Sequence, residues 1–242
     1  MSYKLEICVG TINSALIAQA FGADRIELCD NLAEGGTTPS YGMIVRCKTQ
    51  LEIPFFPIIR PRGGNFVYTN DEFQIMRQDV LCCREMGCEG IVIGMLKKDS
   101  TIDMERCAEL ISLAGEMEIT FHRAFDRCTS LERSLEDLVE LGCSRVLTSG
   151  GKEFAPDATE KLKSLVRQAG FRIQIMPGSG ITHRNLQKMA AETGAYEFHT
   201  TAKKLMEYGT DVINGEPFRE IETDGEQVEK LKEILKQIGW VY

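Results

Sequence analysis

The strings Leu5-Glu6-Ile7-Cys8 and Ile26-Glu27-Leu28-Cys29 each set a glutamate and a cysteine two residues apart among apolar neighbours. In an extended chain, residues two apart share a face, so each string presents a carboxylate and a thiol together. Thiolates are soft ligands suited to Cu(I) or Zn, while carboxylates and imidazoles carry proton transfer. Arg60, His122 and His199 lie at or near the ends of three further apolar runs and add a cation and two rings to that chemistry.

These residues need elements to position them. Short runs rich in Ile, Val and Phe recur at 4–9, 25–29, 54–60, 89–94, 117–122, 145–149, 172–176 and 195–200. Segments at helical period separate them, near 13–22, 40–51, 71–86, 103–114, 131–141, 156–169 and 182–193. Eight strands alternating with helices predict an α/β fold, a (β/α)8 TIM barrel, with a doubly wound open sheet as the alternative. No linker-like stretch breaks the alternation, so residues 1–242 read as a single TIM-barrel domain. The segment 201–223 reads as irregular, and EQVEKLKEILKQIGW as a C-terminal closing helix with Val228, Leu231, Ile234, Leu235 and Ile238 in an apolar stripe and Trp240 as an anchor.

Each barrel strand sends one parity to the helices and the other into the barrel. Taking the apolar parity as helix-facing puts Glu6, Cys8, Glu27, Cys29, Arg60, Thr120, His122, Thr148, Glu197 and His199 inward. Barrel interiors are mostly filled by branched apolar residues, so this polar set is unusual. Glu27 and Arg60, on adjacent strands about 4.8 Å apart, could neutralise each other. Arg25, Arg62 or Arg123 could reach Glu6 and Glu197.

Active sites of this fold sit at the C-terminal strand ends, where these groups fall. Two chemistries remain open there. Cys8 and Cys29 occupy equivalent positions on adjacent strands, and sulfurs each bound at about 2.3 Å to one metal are compatible with that spacing. His199 or His122 could add a nitrogen, although lone inward cysteines also serve as small apolar fillers. The loops TSGG, with Ser149, Gly150 and Gly151, and PGSGIT, with Gly178, Ser179 and Gly180 and Thr182 as a helix cap, could hold a phosphate or carboxylate. Glycines of this kind also simply make turns. With an anion there, Arg60 and Arg62 would orient it, and Glu6, Glu27 or His122 would act as general acid or base.

Composition narrows the partners. With 36 acidic and 28 basic residues, net −8, the chain lacks the clustered positive charge that binds nucleic acid or an anionic membrane. The partners expected are a copper ion or a small anionic metabolite. The opening MSYKLEICVG is not a secretory signal, and nine cysteines without a C-x-x-C pair argue against a disulfide framework, so a cytoplasmic location is expected. A homo-oligomer is compatible with a barrel of this size, and no stretch marks its interface.

The strings LEICV, GADRIELCDNLAEGGTTPSYG, IRPRGGNFVY, TFHRAFD, RVLTSGG and MPGSGIT, in this order across most of residues 5 to 201, resemble the CutC family of cytoplasmic copper homeostasis proteins. The resemblance implies a (β/α)8 barrel, an association with copper tolerance, and Cu(I) binding by cysteines, carried here onto Cys8 and Cys29. It implies no particular reaction, and it stops near residue 205.

Overall fold

The computed structural model describes residues 2–213 and 216–239. Its elements run β1 (Lys4–Val9), α1 (Ile12–Ala20), β2 (Arg25–Leu28), α2 (Tyr41–Gln50), β3 (Phe55–Pro57), α3 (Asn70–Glu85), β4 (Gly90–Ile93) and α4 (Met104–Ala114). They continue with β5 (Glu118–Phe121), α5 (Leu131–Glu140), β6 (Arg145–Thr148), α6 (Thr159–Ala169), β7 (Gln174–Pro177), α7 (Leu186–Thr193) and β8 (Glu197–Thr200). An antiparallel pair, β9 (Lys203–Ile213) and β10 (Glu216–Thr223), precedes the final helix α8 (Gly225–Ile238).

Parallel pairing links β3-β2-β1-β8 and β4-β5-β6-β7. The two arcs meet where Ile58 bridges Val92 and the Ile59 N–H donates to the Val92 carbonyl at 2.8 Å. On the other side β7 lies beside β8. The architecture is the expected (β/α)8 barrel. Helix starts are set locally: Thr11 caps α1, and Thr69 with Glu72 forms a reciprocal capping box on α3. No helix among the described residues is long and apolar enough to cross a membrane.

The strand faces separate two apolar regions. Leu5, Ile7, Ile26, Leu28, Ile91, Ile93, Ile119 and Phe121 belong to the large core shared with the helices, whereas Cys8, Cys29, Phe56, Ile58 and Val92 form a small interior cluster. Parity therefore holds for β1 to β5. It fails in β6, where Arg145, not Thr148, reaches across the interior to Glu197 and Thr120. Val146 and Leu147 are both apolar, so the apolar-face rule has nothing to choose between there.

Residues 203–213 and 216–223 form an antiparallel strand pair rather than irregular chain, with Leu205 paired to Ile221 and Lys203 to Thr223. The sequence signal was an Asn214-Gly215 pair between alternating runs. The stripe on α8 is borne out by buried Val228, Leu231 and Leu235, while Trp240 lies outside the described residues.

Phe56 fills the barrel centre, and its ring would sit 2.5 Å from a Cβ added at Gly90, with the Glu118 carbonyl at 2.7 Å. No larger residue fits that inward position. Gly90→Ala is expected to lower unfolding free energy by about 1–3 kcal/mol in denaturant titration, and an unchanged midpoint would contradict this packing.

Candidate functional site

The barrel interior carries buried charge at its floor. Arg25 donates through Nε to Glu6 and through Nη2 to Glu197 at 2.7 Å, and Arg145 Nε donates to the same Glu197 carboxylate at 3.2 Å. Arg145 also reaches Glu118. Both guanidiniums stack on Phe56, at 5.3 and 5.1 Å from its ring centroid. Burial alone would raise Glu6, but the Arg25 guanidinium and His199 outweigh it and hold the carboxyl well below the usual range. Of the arginines expected near Glu6 and Glu197, Arg25 is the partner; Arg62 pairs with Glu72, and Arg123 with Asp126.

The network continues upward. Glu6 also meets His199 Nδ1 at 2.7 Å. With Glu6 accepting the Nδ1 proton, the other ring nitrogen faces Glu27, whose carboxylate lies 3.7 Å away. Burial opposes charge on His199, yet Glu27, Cys8 and Glu6 together raise its pKa well above the ordinary value. Burial raises the Glu27 carboxyl, and the His199 charge only partly offsets this.

Cys8 and Cys29 meet, Sγ to Sγ at 3.6 Å, although they are not at equivalent positions: the register sets Cys8 beside Glu27, with Cys29 two residues further on. Together with Glu27 they form a buried group whose candidate ligand atoms all lie within 4.8 Å of one another. Cys8 is raised well above the ordinary thiol value by its contact with Cys29 and by burial. In Cys29 the contact with Cys8 acts downward, and burial and Glu27 outweigh it to about 11. Cys8 is 8% exposed against 1% for Cys29. A surface cleft lined by Cys8, Gly10, Leu32, Thr201, Lys203 and Glu222 reaches it from beneath the β9–β10 hairpin.

The expected Glu27–Arg60 pair does not form. Arg60 follows the short β3 ladder, and its guanidinium donates to the carbonyls of Glu34, Gly36 and Gly64. The anion-holding role expected of the glycine loops is also pre-empted. Asp126 accepts the N–H groups of Ser149 and Gly151 and both hydroxyls of Thr148 and Ser149. The Gly150 N–H goes to Thr148 Oγ1 and that of Gly178 to the Thr148 carbonyl. The Ser179 hydroxyl donates to the Glu153 carbonyl, and Gly180 packs against Phe154. Helix α7 starts at Leu186, so Thr182 does not cap it; its N–H instead donates to Asn185 Oδ1. His122 lies apart from the thiols, its ring against Phe66 and its Nδ1 accepting the Ala124 N–H.

Comparison with known proteins decides the family. The CutC family model matches residues 3–204. The chain belongs to the CutC family. A CutC family protein of Chromobacterium violaceum is 44% identical over 244 residues, covering 97% of this chain and 99% of its own. The human copper homeostasis protein cutC homolog is 44% identical over 212 residues, covering 88% and 78%. The CutC structure from Streptococcus agalactiae superposes with a TM-score of 0.79 at 37% identity, covering 82% of this chain and 98% of that one. In this CutC chain the match ends where β9 begins, so most of the hairpin over Cys8 and the whole of α8 fall beyond the family model.

Sequence reasoning missed Arg145 and Asp126. Both sit where short strands or loops lack periodicity, so neither carries a sequence signal of its own.

Removing Arg25 would leave two buried carboxylates short of charge, Glu6 with only His199 and Glu197 with only Arg145 to offset it. Arg25→Met is expected to cost about 3–5 kcal/mol of unfolding free energy, measured by denaturant titration; a loss under about 1 kcal/mol would show the network is not what neutralises them. Burial, with the charge on Arg60, pushes His122 down to about 3. Its ring is therefore expected to stay neutral between about pH 5 and 8, and a midpoint inside that window in histidine NMR would refute the assignment.

Proposed function

We propose that this protein binds Cu(I) between Cys8 and Cys29 as part of cytoplasmic copper homeostasis. The observation that carries the reading is the 3.6 Å approach of the two sulfurs. Two bonds of about 2.3 Å to sulfurs at that separation close an angle of roughly 100°, which suits three- or four-coordinate geometry rather than a linear pair. His199 supplies the further ligand. Its Nδ1 is turned to Glu6, which leaves Nε2 toward Cys8 and Glu27, the carboxylate–histidine arrangement that orients metal-bound imidazoles.

Soft thiolates select Cu(I) over hard cations. Two of the relatives carry copper homeostasis in their names. Nine cysteines without a C-x-x-C pair suit a reducing compartment, which supports the cytoplasmic assignment. Copper here is cargo, reaching Cys8 first through the cleft under the hairpin.

Anaerobic titration against a competing Cu(I) chelator is expected to give one equivalent per chain. Cys8→Ser and Cys29→Ser should each weaken binding by about 100-fold or more, and His199→Asn by about 10-fold. Wild-type affinity in the double cysteine variant would reject the reading. The thiols and the His199 imidazole hold their protons at neutral pH and copper must displace one from each ligand atom, so affinity should rise with pH. A flat or falling dependence would mean that the ligands are other groups.

A further inference from the structure

Arg60 is a buried cation without an acidic partner. It is 3% exposed, and among the described residues no carboxylate forms an ion pair with it. Nη1 donates to the carbonyls of Glu34 and Gly36 at 2.8 and 2.6 Å, and Nη2 to that of Gly64 at 2.9 Å, whereas Nε has no partner. His122 Nε2 has none either. The ring accepts the Ala124 N–H at Nδ1, at 3.1 Å, so its proton sits on Nε2 and makes that atom a donor. The Tyr68 hydroxyl is a further buried polar group beside them, within side-chain hydrogen-bonding reach of Arg60.

These groups share one neighbourhood. The Phe66 ring lies 5.1 Å from the Arg60 guanidinium and 4.9 Å from the His122 ring, and the Arg60 charge acts on both His122 and Tyr68. Gly94 at the end of β4 lets the ring approach, since a Cβ there would fall 2.2 Å from it. Buried polar groups are nearly always hydrogen-bonded and buried charges nearly always paired. A cation without an acidic partner and two N–H donors, Arg60 Nε and His122 Nε2, with nothing to receive them call for an acceptor that arrives with a ligand.

We infer that Arg60 and His122, with Tyr68 beside Arg60, form a subsite for the carboxylate of a small ligand, at the C-terminal ends of β3 and β5 and separate from the thiol pair. One unpaired positive charge matches one negative charge. The two η nitrogens are already committed to carbonyls, so Arg60 offers a single N–H rather than a fork; one carboxylate oxygen takes that N–H and the other takes His122 Nε2–H. A phosphate would bring more charge than Arg60 neutralises and more oxygens than these donors satisfy, which burial makes costly.

Acetate and formate are suitable probes, titrated into the whole protein at constant ionic strength with chloride as the balancing ion. The chain has three histidines, at 122, 183 and 199, so the His122 Nε2–H signal is assignable by proton–nitrogen NMR. That signal should shift and saturate with either carboxylate, be unmoved by inorganic phosphate, and behave identically in Cys8→Ser. Arg60→Met should weaken acetate binding by about tenfold or more, the loss expected for one charge-assisted hydrogen bond. Absence of saturation, saturation by phosphate in place of acetate, or wild-type affinity in Arg60→Met would each overturn the inference. If Arg60→Met does not fold, crystals of the unmodified protein grown in acetate decide: a carboxylate within hydrogen-bond distance of Arg60 Nε and His122 Nε2 supports the subsite, and a water molecule only there overturns it.

Discussion

The barrel depends on Arg25 standing between two buried carboxylates. Glu6 and Glu197 lie in an interior that excludes water, where an uncompensated charge is strongly unfavourable. Arg25 serves both, and Arg145 shares Glu197 from the opposite arc of strands, so one chain of ion pairs ties β2 to β1 and β8 and reaches β6. Phe56, packed under both guanidiniums, fills the space the charged heads leave. The close fit of Gly90 against that ring follows from this arrangement.

The same network builds upward into the mouth. With Glu6 held ionised by Arg25, its second oxygen is free to fix the His199 ring, and the ring then stands beside Glu27 and the thiols. Glu6 neutralises Arg25 below and orients His199 above. The far wall works by opposite means. There a positive guanidinium faces a neutral imidazole, and burial keeps His122 from taking a second charge beside Arg60. One barrel mouth thus holds a thiol and carboxylate side suited to a soft cation, and a donor side suited to an anion.

Much of this was legible in the residues. The alternation of short apolar runs and helical periods yields the barrel, and parity yields the inward set because Leu5 and Ile7, or Ile26 and Leu28, mark the outer face without ambiguity. That Cys8 and Cys29 both face inward follows from parity, but the register sets Cys8 beside Glu27, so the thiols meet on a diagonal two residues out of line rather than at the equivalent positions the spacing suggested. What did not follow was decided by three-dimensional choice among like groups. Nothing in the spacing says that Arg25 rather than Arg60 neutralises the glutamates, or that Asp126 reaches from one loop into the amides of the next. Arg145 hid because β6 is apolar on both faces, and the 203–223 hairpin because its alternation is diluted by charge.

On the reading proposed above, the buried charge network presents two thiols and one oriented imidazole to a single soft metal ion. X-ray absorption spectroscopy of the protein loaded anaerobically with one equivalent of Cu(I) tests it most directly. Two sulfur scatterers at about 2.3 Å and one nitrogen at about 2.0 Å are expected, with the nitrogen lost in His199→Asn. A copper shell of nitrogen and oxygen alone, or one of sulfur that survives replacement of both Cys8 and Cys29, would contradict it.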